Sequence, residues 1–321
     1  MNEQSAVPAA RSGIIVGVDG SEQSLRALDR AAREAGRRGT ALRILCGGVW
    51  PKRSAVPITQ ADQERILKQA AQVVDEAAER ARRSEPDLEI VPVTEMEVSA
   101  ADALVRASRT AELTVVGSRG HGGFAGLLVG SVSLRVAAHT EGPLMVVRVD
   151  HPGSLESNRG STLVGYSSRK DESALDFGFE EAERTGSRLR VLHAWQPPRM
   201  PGVLQRPPHE DSEGAEAARS MLREVIAPHA KRHPDVEVSD EAQAGSPAAA
   251  LIEASRAADA VVLSTRLRQR RLGMHIGPNA HALLHHAHCP VVMVPTENGN
   301  GGNGSNGGNG DEGSEGGSHP A

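Results

Sequence analysis

Residues 113 to 133 read Leu-Thr-Val-Val-Gly-Ser-Arg-Gly-His-Gly-Gly-Phe-Ala-Gly-Leu-Leu-Val-Gly-Ser-Val-Ser. The β-rich run from Leu113 to Val116 fits a short buried strand. The glycines after it let several backbone N–H groups converge in one concave loop, because glycine tolerates the backbone angles such a loop needs. A helical pattern, carried by Val132, Leu134, Val136 and Ala137, takes over at Gly130-Ser131. The first amides of a helix lack intrahelical acceptors and carry the positive end of its dipole, so together with the Ser131 hydroxyl they suit a phosphate. Strand, glycine loop and helix in that order make one unit of an α/β protein with an anion site at the join. The chain holds 34 glycines, so the motif needs support from the rest of the sequence.

Upstream, the same alternation recurs. Gly13 to Val18 is β-rich and is broken by Asp19-Gly20-Ser21. Ser21 is placed to cap a helix whose apolar face is Leu25, Leu28, Ala31, Ala32 and Ala35, and Gly36 and Gly39 end it. Leu42 to Cys46 reads as the second strand, Thr59 to Ser84 as a helix, Leu88 to Val98 as the third strand and Ala100 to Thr110 as a helix. Residues 47 to 58, with Trp50 and two prolines, read as an irregular loop. Leu144 to Val149 is the fifth strand. Strands alternating with helices require right-handed crossovers and a parallel sheet covered on both faces.

The pattern then starts again. Ser187 to His193 echoes Thr40 to Cys46, and His288 to Val294 echoes Glu141 to Val147, both at an offset of 147 residues. A repeat of that length means two copies of one domain. The expected organisation is a flexible start (1–11), a first domain (12–150), a linker (151–160), a second domain (161–296) and a disordered Gly/Asn/Ser-rich tail (297–321). The fold class is α/β, with two repeated doubly wound, five-stranded, mainly parallel sheets. The fifth strands, Leu144 to Val149 and Pro290 to Pro295, are the edges expected to pair the two domains within the chain. A homodimer of the whole chain is left open.

Ligands of open parallel sheets bind beyond the carboxyl ends of the strands. In the first copy that edge carries Val18-Asp19, Cys46-Gly47 and the Gly117 loop. Asp19 is an acceptor-only group suited to ribose hydroxyls or to a metal near phosphates; the plainer reading is an Asp at a helix entry. Gly117, Gly120 and Gly130, with nine residues between the last two, resemble the nucleotide loop of the universal stress protein family, as do Ser131, the preceding strand and the following helix. The resemblance spans nearly all of residues 12 to 296. It implies a Rossmann-like fold of the adenine nucleotide alpha-hydrolase kind and ATP, with or without Mg, as the cofactor. It further implies a regulatory role in the stress response. By the same resemblance Asp19, next to Val18, lies against the nucleotide, and Gly47 offers its backbone to adenine. Gly117, Gly120, Gly130 and Ser131 contact ribose and phosphates, with Val132 adding an amide.

No catalytic residue is expected. Arg119 and His121 lie in the loop without a companion carboxylate fixed by sequence, and no Gly-x-x-x-x-Gly-Lys-Ser/Thr loop occurs. The competing readings are a slow ATPase at the same site and a structural tandem module without nucleotide. A nucleotidyl-transferring enzyme is a weaker reading, because His275-Ile276-Gly277 follows the fourth strand of its domain and precedes Pro278.

The second copy departs at the site. Ser264 stands for Gly117, Leu267 for Gly120 and Pro278 for Ser131, and only Gly277 persists for Gly130. Tyr166-Ser167-Ser168 replaces Val18-Asp19-Gly20, so the carboxylate is gone. The expectation is a second domain that keeps the fold and has lost or weakened this nucleotide site. Its loop is basic through Arg266, Arg268, Arg270 and Arg271. His281, His285, His286, His288 and Cys289 cluster in sequence, but no Glu completes a metalloprotease pattern; solvent-facing histidines and no metal site are expected.

Composition narrows the rest. A formal charge of -5 gives no basic footprint for nucleic acid, and 2% aromatic residues give no base-stacking platform. No apolar run is long enough to span a bilayer, and the start Met-Asn-Glu-Gln-Ser has no signal-peptide pattern, which predicts a cytoplasmic protein. The two cysteines, Cys46 and Cys289, read as buried free thiols of a reducing compartment.

Overall fold

A computed structural model of the chain describes residues 13–48, 59–120, 128–148, 160–195, 213–266 and 276–296. The Trp50 loop, His121, most of the linker, Leu267 to Arg271 and the tail lie outside the described residues. The first half runs β1 (Ile14–Gly17), α1 (Glu22–Arg38), β2 (Leu42–Gly47), α2 (Gln60–Ser84), β3 (Ile90–Glu95), α3 (Ala100–Ser108), β4 (Leu113–Gly117), α4 (Ser131–His139), β5 (Leu144–Val147). The second half repeats it as β6 (Ser161–Gly165), α5 (Glu172–Thr185), β7 (Arg188–Trp195), α6 (Glu213–Arg232), β8 (Val238–Ala244), α7 (Pro247–Ala254), β9 (Ala260–Arg266), α8 (Pro278–His286), β10 (Val291–Thr296).

Local chemistry sets the boundaries. The Ser24 N–H donates to the Ser21 hydroxyl at the start of α1, and Gly39 closes the helix in the left-handed conformation at φ 61°. Thr59 and Asp62 form a reciprocal capping box at the start of α2. β3 is shorter than the alternating pattern of Leu88 to Val98 predicts. Leu88 is tied into the preceding turn through its N–H to Glu85 O, at 3.2 Å, and β3 is an outer strand with a single pairing partner, β2.

The strands form one ten-stranded sheet in the order β3-β2-β1-β4-β5-β10-β9-β6-β7-β8. Every pairing is parallel except that of β5 with β10, where Val146 faces Val291 and Leu144 faces Met293. The two five-stranded units foreseen from the sequence thus join through their fifth strands. One layer of buried side chains runs beneath α1, α2, α5 and α6, and another beneath α3, α4, α7 and α8, each crossing from one half into the other. Register fixes the repeat: Thr114 pairs with Leu144 and Val261 with Val291, 147 positions on in both strands. At the first strand the offset is 148, because Ile14 pairs with Leu42 but Thr162 with Leu189. Tyr166 therefore stands for Val18 and Ser167 for Asp19.

Where α1 meets α5, two buried carboxylates at counterpart positions, Glu34 and Glu181, share a group of arginines. Arg38 lies 2.8 Å from Glu181 and 3.6 Å from Glu34, Arg30 lies 2.9 Å from Glu34, and Arg184 lies 2.8 Å from Glu181. Burial pushes Glu34 upward, but Arg30, Arg38 and Arg37 outweigh it and hold the acid below its ordinary range. Glu181 is raised, first by burial and then by the Glu34 carboxylate, against Arg38 and Arg184.

Candidate functional site

In each half the strand order reverses direction between the first and fourth strands, which leaves a crevice at their carboxyl ends. In the first half β1 delivers Val18, whose N–H donates to Leu45 O at 2.9 Å. Asp19 follows, exposed, with its N–H donating to Ser24 Oγ at 3.3 Å. Its Oδ1 accepts from the Ser21 hydroxyl at 2.6 Å and the Ser21 N–H at 3.0 Å. The residues that cap α1 therefore also fix the carboxylate.

β4 delivers Gly117 and the loop. The Gly130 N–H donates to Ser118 O at 2.7 Å, which draws the far end of the loop back to its start. The Ser133 hydroxyl donates to Gly117 O at 2.6 Å and pins the first turn of α4 to the end of β4. Gly130 caps α4 without a side chain, so the amides of Ser131, Val132 and Ser133 keep their donor capacity at the positive end of the helix. A Cβ on Gly120 would collide with Asp19 Oδ2. Loop and carboxylate approach so closely that a larger residue there must displace the Asp19 carboxylate.

These elements enclose a cavity of about 340 Å³, at the lower end of the ~300–1,000 Å³ typical of small-molecule sites. All eight residues singled out from the sequence line it: Val18, Asp19, Gly47, Gly117, Gly120, Gly130, Ser131 and Val132. Arg119 is also in the wall, and Leu45, Leu104, Val116 and Val129 form its apolar side. The sequence reading placed Ser21 as a helix cap but not as a partner of Asp19, and it missed Ser24 and Ser133, which line the cavity and hold its backbone. Ser133 lies within the decisive stretch itself, and a hydroxyl at the third position of a helix is a signal of such pinning.

Cys46, next to the last residue of β2, is half-buried rather than buried as the sequence suggests; Cys289 is buried. Burial raises the Cys46 thiol pKa, and the Asp19 carboxylate raises it further. Alkylation of Cys46 at neutral pH is therefore expected to be slow and to quicken in Asp19→Asn. Peptide mass spectrometry after a timed iodoacetamide pulse checks this, and an unchanged rate would disconnect the two groups.

The second half holds a counterpart cavity of about 480 Å³. Ser264, Gly277 and Pro278 line it as the alignment predicts, with Tyr166 and Ser167 at the exit of β6. The expectation that this exit has no carboxylate is corrected. Asp171, in the short turn before α5, comes from outside the aligned positions; its Oδ2 accepts from the N–H groups of Ser167 (2.8 Å) and Ser168 (3.0 Å) and the Ser167 hydroxyl (2.7 Å). The signal was available, since Ser168 and Asp171 have capping-box spacing. On α8, His281 and His286 are exposed, but His285 is half-buried, with its ring 4.5 Å from that of His281. Burial, His281, His286 and Arg148 lower the His285 pKa, in that order. Among the described residues no three metal-ligating side chains gather at one point, and no helix is long and apolar enough to cross a membrane.

A doubly wound sheet with a glycine loop feeding an uncapped helix at the switch point defines a Rossmann-like α/β protein. A family model described as the universal stress protein family matches residues 12–148 and again 160–295. Universal stress protein Rv2005c of Mycobacterium tuberculosis is 31% identical over 296 residues, covering 89% of this chain and 98% of that one. Universal stress protein Rv1996 of the same species is 30% identical over 304 residues, covering 88% and 94%. A solved universal stress protein from Archaeoglobus fulgidus shares the fold, with a TM-score of 0.68 at 18% identity, over 90% of this chain and 98% of that one. The chain belongs to the universal stress protein family and carries two copies of its domain in tandem.

Proposed function

We propose that the protein is a regulatory stress-response module whose amino-terminal half holds ATP. Asp19 takes the ribose hydroxyls, Gly47 offers its backbone to the base, and Gly117, Gly120, Gly130, Ser131 and Val132 surround the phosphates. The observation that carries this reading is the convergence of the uncapped start of α4, the loop closed from Ser118 to Gly130 and the Asp19 carboxylate on one cavity. The residues present fit the group: three amide donors suit phosphate oxygens, an acceptor fixed by Ser21 suits hydroxyl donors, and Leu45, Leu104 and Val116 suit a flat apolar ring. A magnesium ion accompanying the phosphates would have Asp19 as its nearest carboxylate among the described lining residues.

Holding is favoured over turnover. Hydrolysis needs a positioned water and charge neutralisation at the terminal phosphate. Among the described lining residues Asp19 is the one carboxylate, and its Oδ1 is already engaged by Ser21. Calorimetric titration of the purified chain with ATP is expected to give about one site per chain, and mass spectrometry of material released on denaturation should detect an adenine nucleotide. Absence of any saturable binding would leave the structural reading in its place.

A further inference from the structure

On the face of the sheet covered by α3, α4, α7 and α8, the two halves treat charge differently. In the first half the acids and arginines of the helix pair satisfy one another: Arg135 lies 2.8 Å from Asp102, and Arg109 lies 2.8 Å from Glu141. The backbone arrangement is copied in the second half at the offset of 147. The Glu141 N–H donates to Ser108 Oγ at 3.0 Å, and the His288 N–H donates to Ser255 Oγ at 2.9 Å. The acids are not copied, because Ala249 stands for Asp102 and His288 for Glu141. Arg256, the counterpart of Arg109, turns back to Glu253 at 3.0 Å.

Between α7, α8 and the end of β5 lies an open groove of about 610 Å³. Leu128 and Arg148 reach it from the first half, so it draws on both. Leu128, Ala249 and Ile252 are its apolar lining. Its polar lining is Arg148, His285, His286 and His288 against one acid, Glu253, which Arg256 already engages. Arg148 is buried and fixed, with Nη1 donating to Leu284 O at 2.6 Å in the last turn of α8. His285 Nε2 is shielded from solvent and has no hydrogen-bond partner among the described residues. Around His285 stand His281 and His286 on α8, His288 after it, Arg148 beyond β5 and Glu253 on α7. Burial opposes its protonation most, and His281, His286 and Arg148 add to that; an anion shared with those groups reverses their effect. No three metal-ligating side chains converge among the described residues, and Arg148 repels a cation, so the partner this cluster calls for is an anion.

We infer that this groove binds an amphiphilic organic anion, a carboxylate with a short apolar chain. The head takes the part that Asp102 and Glu141 play in the first half, among Arg148 and the three histidines, and the chain lies on Leu128 and Ile252. Histidine protonation and anion binding favour each other, so affinity rises as pH falls through the histidine range. A weak organic acid supplies both the proton and the anion. The inference does not depend on the nucleotide reading, since the groove shares no lining residue with the amino-terminal cavity.

Octane-1-sulfonate is the probe, because its head stays ionised throughout and any pH dependence then belongs to the protein. Titrated into the full chain and followed by the histidine ring signals in NMR, it is expected to bind at least ~10-fold more tightly at about pH 5.5 than at about pH 8. The titration midpoint of His285 should rise when it binds. His288→Glu and Ala249→Asp, which put back the acids of the first half, should each weaken binding ~10-fold or more. Ala249 is exposed and a glutamate is native at the counterpart of His288, so thermal unfolding should show both variants folded. Equal affinity at the two pH values, a His285 midpoint that does not rise, or undiminished binding in either folded variant overturns the inference. So does 1-octanol binding as tightly as the sulfonate, which would leave an apolar surface, or methanesulfonate doing so, which would leave a plain anion site. Dimerisation on acidification that blocks the probe would assign the groove to a second copy of the chain instead.

Discussion

Replacing Gly120 by leucine is expected to remove ATP binding from the amino-terminal half, weakening it ~100-fold or more. A side chain at this position meets the Asp19 carboxylate, so either that carboxylate swings out of the crevice or the loop retreats with its amides, and the nucleotide loses contacts in both cases. Overpacking of this kind costs ~1–3 kcal/mol by itself, and each ~1.4 kcal/mol of lost binding is a further factor of ten. Because Gly120 itself is not part of either buried layer, the melting transition should change little. Calorimetry with ATP measures the first effect and thermal unfolding the second. Retained affinity in a folded variant would show that the Gly117 loop does not hold the nucleotide.

The second large effect concerns stability. Glu34 is fully buried and faces Arg30, Arg37 and Arg38 from its own helix and Glu181 from α5. Glu34→Ala leaves the buried Arg30 without its carboxylate and Arg38 with Glu181 alone, a change of a kind that costs ~3–5 kcal/mol when a buried pair is broken. Glu181→Gln should behave differently. A carboxyl whose folded pKa lies above its unfolded value favours the folded state at low pH, and that advantage is lost as pH rises through the folded value. Glu181→Gln should therefore gain on the wild-type chain as pH rises from below the ordinary carboxylate range to neutrality. Glu34, held low, has the opposite sign: its contribution is present above the ordinary carboxylate value and fades as pH falls through the folded one. Urea unfolding of both variants across that range tests the pair, which titrates as one unit. Parallel pH profiles for the two variants would refute the assignment.

The sequence made the sheet legible because its central strands are buried on both faces and read as unbroken apolar runs, as in Leu113 to Val116 and Leu144 to Val147. The outer strand β3 was overextended because an edge strand has one partner and its alternation continues into the flanking turn. The eight lining residues were legible through the resemblance of the strand, glycine loop and helix start to the family's nucleotide loop, since glycine is too common in this chain to mark the site alone. The serines that hold them were not, since a hydroxyl donating to a backbone carbonyl leaves no periodic trace. Asp171 escaped for a different reason: it restores a carboxylate from a turn four residues beyond the strand exit, and position-by-position comparison of the copies cannot see it. The Glu34 and Glu181 pair was invisible because its members lie far apart in the chain and each sits on a helix that otherwise reads as ordinary.

The antiparallel seam between β5 and β10 joins two like units that the chain keeps tethered to each other. In an assembly of two identical chains, any substitution near the symmetry axis is imposed twice, so a change that helps one side must be tolerated on the other. Covalent fusion lifts that obligation. Arg30 and Phe177 occupy counterpart positions beside the axis, and the Phe177 ring lies 5.7 Å beneath the Arg38 guanidinium. Forced identity would have placed two arginines or two rings there, adding a cation to an already crowded group or removing one that Glu34 requires. The same freedom lets each crevice adopt its own chemistry without altering its twin.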